Sequence, residues 1–159
     1  MKRILSILIA LSMMGGPSMA MLDLGISYFP RSSDVEDRAA VYLEYDLILA
    51  CVGYMMKVTP YSGSRYSESI VYFEQTLFPS PGIKPIWGLG YAFRSSSASS
   101  INSIDDGLLG YIGAEFGIPG LSSTMSILYW IESVPVELSS GSKQISENSL
   151  AINLEFPLI

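Results

Sequence analysis

Residues 150–158 read Leu-Ala-Ile-Asn-Leu-Glu-Phe-Pro-Leu, and apolar residues occupy every second position of this stretch. Leu150, Ile152, Leu154, Phe156 and Leu158 alternate with Ala151, Asn153, Glu155 and Pro157. Successive side chains of a β-strand point to opposite faces of the sheet. This period of two therefore predicts a strand with one apolar face and one polar or small face.

The same alternation recurs in seven further segments, which are residues 24–28, 41–47, 52–58, 71–77, 87–93, 110–118 and 125–131. Two residues depart from it, because Gln75 falls on an apolar face and Trp130 on a polar one. No internal sequence repeat or domain boundary interrupts the series. The sequence predicts an all-β fold with eight strands in one domain, residues 21–159.

The connections between these segments alternate in length. Polar stretches at 31–38, 60–69, 94–106 and 134–148 are long, whereas the links around 48–50, 78–83 and 119–120 are short. Outer-membrane barrels combine long extracellular loops with short periplasmic turns. This order predicts a closed antiparallel up-and-down barrel with both termini on the periplasmic side.

The N-terminus has the features of a secretory signal peptide. Lys2 and Arg3 precede the apolar residues 4–14, and the small residues Ser18 and Ala20 follow a Gly-Gly-Pro break. We expect cleavage after Ala20, so that residues 1–20 are removed. The apolar run is shorter than the roughly 20 residues of a membrane-spanning helix, which disfavours an N-terminal anchor.

Composition narrows the classes of function. Cleavage leaves 7 cations and 15 acids, a net charge of −8, without the basic stripe that nucleic acids require. Cys51 is the single cysteine, so no internal disulfide can form. The chain has no histidine, which excludes Ser/His/Asp and Cys/His catalysis and histidine-ligated metals. We predict no enzyme activity, no cofactor and no metal site.

The distribution of charge suggests what surrounds the barrel. Carboxylates of the strands fall on the face opposite the apolar one, where glycine, serine and alanine are also common. Small residues suit the cramped interior of an eight-stranded barrel. A charge on a lipid-facing surface is costly. We therefore predict a transmembrane barrel in the outer membrane, with aromatic girdles formed by Trp87, Phe116 and Phe156 at one edge and by Tyr28, Tyr91, Phe93 and Tyr129 at the other.

In this pattern the chain resembles the small eight-stranded outer-membrane barrels of the OmpA membrane-domain and OmpX type. The resemblance covers residues 21–159 and rests on alternation and loop lengths rather than on a residue motif. Those barrels commonly end on an aromatic residue, whereas this chain ends on Ile159, three residues after Phe156. The resemblance implies that charged pairs inside the barrel are structural or gate a narrow water path.

The inward-facing charges are the candidate site. We predict an interior polar network formed by Glu44, Lys57, Glu74, Arg94, Glu115, Glu132 and Glu155. Cys51 is interpreted as a small buried apolar residue, and Asp105-Asp106-Gly107 as a solvated turn rather than a calcium loop.

The favoured function is that of a monomeric outer-membrane barrel with a structural or surface-interaction role through its extracellular loops. Its expected partners are outer-membrane lipids and the outer-membrane assembly machinery. Two alternatives stay open. One is a soluble periplasmic lipocalin-like barrel that binds an apolar ligand, and the other is a narrow channel for small solutes.

Overall fold

The computed structural model describes residues 22–31, 35–47, 50–61, 64–78, 82–138 and 141–158; for residue 61 and residues 142–147 only the backbone is described. The predicted signal peptide and Ile159 lie outside these residues. Within the described part of the chain, no helix is long and apolar enough to cross a membrane.

The described residues form nine antiparallel strands. These are β1 (Leu22–Phe29), β2 (Arg38–Leu47), β3 (Ala50–Tyr61), β4 (Ser64–Thr76), β5 (Ile83–Ser96), β6 (Ile101–Ile104), β7 (Gly107–Gly117), β8 (Thr124–Leu138) and β9 (Gly141–Pro157). Each strand from β1 to β5 pairs with the next, β5 pairs with β7, and β7, β8 and β9 continue the series. The ring closes where β9 pairs with β1, with Ile26 opposite Leu154.

Strands β6 and β7 share one place in the wall. β7 pairs with β5 and β8 along most of their length. The short β6 continues the pairing with the last residues of β8, from Val136 to Leu138. Exposed Asp105 and Asp106 form the break between them. The wall is therefore eight strands around, and the predicted closed eight-stranded antiparallel barrel is confirmed.

The outward side chains of the strands are mostly apolar, whereas the interior combines buried polar and charged side chains with an apolar core that includes Met55, Ile70 and Leu128. One outward residue from each strand of the ring is between 40% and 61% exposed: Ile26, Val41, Met56, Phe73, Leu89, Ile112, Ile131 and Ile152. Cys51 and Trp130 face inward and are buried, as predicted, and Gln75 is exposed on the outer face.

The two ends of the barrel differ. The turn end carries the starts of β1, β3, β5 and β8 and the end of β9, and its β7–β8 turn is closed by an Ile118 N–H···O=C Ser123 bond of 3.0 Å. We call the ring of exposed apolar residues on the eight strands the apolar belt. At the opposite end, which we call the hairpin end, strands extend well beyond this belt.

Three of the four predicted long loops are mostly strand, so that prediction was wrong. Segment 60–69 belongs largely to the β3–β4 hairpin, 94–106 contains the end of β5 and all of β6, and 134–148 forms the top of the β8–β9 hairpin. Outside the apolar belt the outward residues of these strands are mostly polar. The apolar face that marks a strand in the sequence is then missing, although the backbone continues as a strand.

Candidate functional site in the barrel interior

Four buried charged side chains cross the lumen in its hairpin half; we call them the ionic quartet. Lys57 Nζ lies 2.8 Å from Glu68 Oε2 and 3.0 Å from Glu132 Oε2. The Arg94 guanidinium bridges the same two carboxylates, with Nε 2.9 Å from Glu68 Oε1 and Nη2 bonded to Glu132 Oε1. All four side chains are fully buried. Two cations thus balance two carboxylates.

Neighbouring groups fix the quartet in place. Trp130 Nε1 donates to Glu132 Oε2 at 3.1 Å, and Thr59 Oγ1 donates to Glu68 Oε2 at 3.1 Å. Arg94 Nη1 donates to the Asp105 carbonyl at 2.7 Å, which ties the quartet to the break between β6 and β7. Buried charges are stable when paired and hydrogen-bonded in this way.

A small apolar cluster caps the quartet at the hairpin end. It consists of the buried residues Val35, Tyr66, Ile101, Val134 and Val136. Val35 lies between β1 and β2 in the chain, and the other four come from strands. Together, the quartet and this cluster place nine buried side chains in the hairpin half of the described lumen.

Below the quartet, tyrosine rings lie across glycines of the neighbouring strand. In β4, Tyr72 is paired with Gly53 of β3, and a Cβ on Gly53 would lie 2.1 Å from the Tyr72 ring. The Tyr72 hydroxyl then reaches Glu44 of β2, the residue paired with Gly53 on its other side, and donates to its carboxylate. A glutamate, a glycine and a tyrosine thus lie side by side on three consecutive strands.

This arrangement, which we call the Glu–Gly–Tyr row, occurs three times around the barrel. The other two rows are Glu155–Gly25–Tyr42 and Glu74–Gly88–Tyr111. Tyr42 donates to Glu155 at 2.8 Å, and Tyr111 donates to Glu74. Glycine is required at the centre of each row because a side chain there would occupy the space of the tyrosine ring.

The glutamates of the three rows line a cavity of about 220 Å³ at the turn end; we call it the acidic cavity. Its charged lining residues are Asp23, Glu44, Asp46, Glu74, Glu115, Glu155 and Lys84. Lys84 Nζ lies 2.7 Å from Glu115 Oε1, and the Lys84 side chain is half exposed. Exposed Leu47 and Ser122 also line the cavity, which therefore opens to solvent at the turn end.

The structure divides the predicted interior network into two separate groups. Lys57, Arg94 and Glu132 belong to the ionic quartet, whereas Glu44, Glu74, Glu115 and Glu155 line the acidic cavity. All seven face the lumen side of the wall. One network was expected, yet the tyrosine layer separates the balanced charges from the unbalanced ones.

The predicted network left out four charged residues of these groups, although Asp23 and Asp46 were placed on the inward face with the other strand carboxylates. Glu68 lies in a segment interpreted as a loop, although its alternation with Tyr66 and Ile70 on the inward face was a usable signal. Asp23 and Asp46 lie near strand ends, and Lys84 follows directly on a predicted turn. Their approach to the cavity depends on strand register, which the alternation does not specify.

Comparison with known proteins does not assign a family: no protein-family model matches the chain, and no curated protein matches it. Function is therefore inferred from the fold and from the placement of side chains.

Proposed function

We propose that this protein is an integral outer-membrane β-barrel with a filled lumen, which acts structurally and contacts partners through its hairpin end. The observation that supports this most strongly is the continuous belt of exposed apolar side chains on all eight strands of the ring, around an interior that contains the charged residues. A monomer in water rarely exposes contiguous apolar surface on this scale.

The height of the belt fits a bilayer. On β5 every outward residue from Ile83 to Phe93 is apolar, and on β3 the same holds from Ala50 to Val58. A tilted transmembrane strand needs about 9–11 residues. Above the belt the outward positions become polar, for example Ser95 on β5. Aromatic residues mark both edges, with Trp87 towards the turn end and Phe93 towards the hairpin end, as expected of interfacial girdles.

The two alternatives are supported less well by the same arrangement. A lipocalin-like barrel requires an apolar internal cavity, whereas the acidic cavity is lined mainly by carboxylates. A channel requires a continuous path, whereas the buried side chains of the ionic quartet and the apolar cluster lie across the hairpin half of the described lumen.

A surface-interaction role is supported by an unpaired strand edge. β1 pairs with β9 only as far as Tyr28 opposite Ile152. Beyond that point, β9 pairs with β8 on one side, and no described residue pairs with its other side. Exposed strand edges bind extended peptide segments through main-chain hydrogen bonds. We propose that this edge, residues 141–150, is where an extended segment of a partner docks; docking would protect its alternate amides from hydrogen exchange.

The membrane location predicts how the protein behaves on extraction. We expect that cell envelopes release it only with detergent, and that the folded barrel migrates differently in electrophoresis before and after boiling. Release into plain buffer would contradict the proposal and favour the soluble barrel. Conductance across a planar bilayer would favour the channel.

A substitution in the apolar belt tests whether the belt faces lipid or water. Ile112→Arg, at the middle of β7, is expected to destabilise the barrel in lipid vesicles by about 2–4 kcal/mol, because the charge would face hydrocarbon. Asn148→Arg is the matched control, since Asn148 is exposed on the outer face just above the belt. Equal unfolding free energies for the two variants in urea titrations would argue against a lipid-facing belt.

A further inference from the structure

The outer face of the barrel carries a groove at the hairpin-end edge of the apolar belt; we call it the alanine groove. It encloses about 600 Å³ and crosses β9, β1, β2 and β3. Its lining is almost entirely apolar and includes Tyr28, Ala39, Val41, Met56, Val58 and Ile152. Sites that bind small molecules commonly have volumes of about 300–1,000 Å³ and apolar walls. The groove therefore has the size and the lining of a ligand site.

A small residue in the belt creates the groove. Ala39 is exposed on the outer face of β2, opposite Tyr28 of β1 and Val58 of β3. The side chains of these two neighbours are longer than the alanine methyl, and the residues are 47% and 51% exposed. Since paired residues lie about 5 Å apart, the surface sinks between two larger apolar side chains. An extended hydrocarbon chain fits a depression of this shape.

Polar groups lie directly beside the hairpin-end edge of the groove. Val58 is paired with Ser67 of β4, and Arg65 is the next outward residue of that strand; both are exposed. Ser67 Oγ lies 2.9 Å from Ser95 Oγ, and Ser96 Oγ donates to the Arg65 carbonyl at 3.0 Å. These bonds between β4 and β5 hold the arginine and the serine in place. A guanidinium and a hydroxyl thus lie next to an apolar groove.

Arg65 differs from the other cations of the described hairpin half. Three of those cations are buried, namely Arg38, Lys57 and Arg94. Arg31 is exposed, but its backbone N–H donates to Asp37 Oδ1 at 2.6 Å, which places a carboxylate beside it. Arg65 forms no ion pair with a carboxylate of the described residues. On a chain with a net negative charge, an exposed arginine away from carboxylates is the place that attracts an anion.

From these contacts we propose that the alanine groove binds one acyl chain of a phosphate-bearing lipid, whose phosphate is held by Arg65 and Ser67. The guanidinium presents paired N–H donors that match the oxygens of a phosphate, and the serine hydroxyl adds a third donor. The order of the groups follows that of the lipid, since the apolar groove lies in the belt and the polar side chains lie at its edge. The proposal rests on the membrane location proposed above, which brings lipids to this face of the barrel.

The test uses the full chain, purified in detergent and freed of lipid, and counts bound lipids by native mass spectrometry. We expect one dioleoyl phosphatidic acid per chain, and at least about 10-fold weaker binding of dioleoylglycerol, which has the same chains but no phosphate. Arg65→Gln should remove this difference, whereas Arg31→Gln is the matched control and should preserve it. Ala39→Trp fills the groove and should weaken the binding of phosphatidic acid by at least about 10-fold. Ile112→Trp, on the opposite side of the ring, should bind as the parent does.

Equal affinities for the two lipids, or full binding of phosphatidic acid by Ala39→Trp or Arg65→Gln, would overturn the proposal. A dimer that is lost in Ala39→Trp would also overturn it, because a second copy would then occupy the groove. Each variant is first checked for the heat-dependent mobility of the folded barrel, and Ala39→Leu replaces Ala39→Trp if the latter does not fold. A protein that needs detergent for extraction but fails these tests refutes the lipid site alone, whereas release into plain buffer refutes the membrane location.

Discussion

Replacing Lys57 by methionine is expected to destabilise the barrel by about 3–5 kcal/mol, the usual cost of removing one partner from a buried ion pair. Methionine keeps the length and bulk of the lysine but removes its charge. Glu68 and Glu132 would then face each other with Arg94 as their one cation in the ionic quartet. The lost attraction is large because all four side chains are fully excluded from solvent.

The matched control is Lys84→Met. Lys84 also forms an ion pair, with Glu115 at 2.7 Å, but its side chain is half exposed. Pairs of this kind contribute about 0–1 kcal/mol. The free energies of unfolding are compared in urea titrations of the refolded barrel, followed by tryptophan fluorescence. Similar losses for the two variants would mean that burial does not set the strength of the quartet.

A double variant distinguishes charge imbalance in the quartet from the loss of cation–π contacts. Lys57→Met combined with Glu132→Gln leaves Glu68 paired with Arg94, so the quartet again carries equal numbers of opposite charges. We expect the double variant to be more stable than Lys57→Met alone. If it is not more stable, the cost of Lys57→Met comes instead from the lost contacts of the ammonium with the rings of Phe29 and Trp130, whose centroids lie 5.3 and 5.7 Å from Lys57 Nζ.

The second large effect is expected from a single added methyl group. Gly88→Ala should destabilise the barrel by about 2–4 kcal/mol, combining the cost of overpacking with that of an unsatisfied buried carboxylate. The new Cβ would lie 2.1 Å from Cζ of Tyr111, so the ring must move. Tyr111 would lose its hydrogen bond to Glu74 and its stacking on Trp130, where the ring centroids are 5.0 Å apart.

The control for this prediction is a glycine-to-alanine substitution on the outer face of the barrel. Gly110→Ala, on β7, places its Cβ 3.4 Å from Leu89 Cδ2, an ordinary contact, and should change stability little. In a Tyr111→Ala background the added methyl at position 88 has room, so Gly88→Ala should cost much less there. An equal cost in both backgrounds would show that the Glu–Gly–Tyr row is not the reason for the glycine.

The alternation at residues 150–158 and in seven other segments was sufficient to predict the strands and their two faces, whereas the inward face was inferred from the carboxylates and small residues and the closed barrel from the alternating connection lengths. This succeeded because the period of two is a local property: each residue's face follows from its neighbours in the chain. Trp130 and Cys51 were placed inside for the same reason, and both are buried.

Strand length was predicted less well. Segments 60–69 and 134–148 lack the apolar face that marked the other strands, yet they belong mostly to β3, β4, β8 and β9. Here partners across the sheet, such as Val134 packed with Ile101, maintain the strand, and such partners are distant in sequence. Glu68 was missed as a consequence.

The sequence by itself determined which side chains of the eight predicted segments share a face, because pleating turns successive residues to opposite faces, and the carboxylates and small residues on one of those faces indicated the lumen. Only the tertiary structure decided which of those side chains meet. The Glu–Gly–Tyr rows, the ionic quartet and the acidic cavity each depend on the register between strands. Alternation fixes the parity of that register but not its value, since a shift of two residues preserves every face while changing every contact.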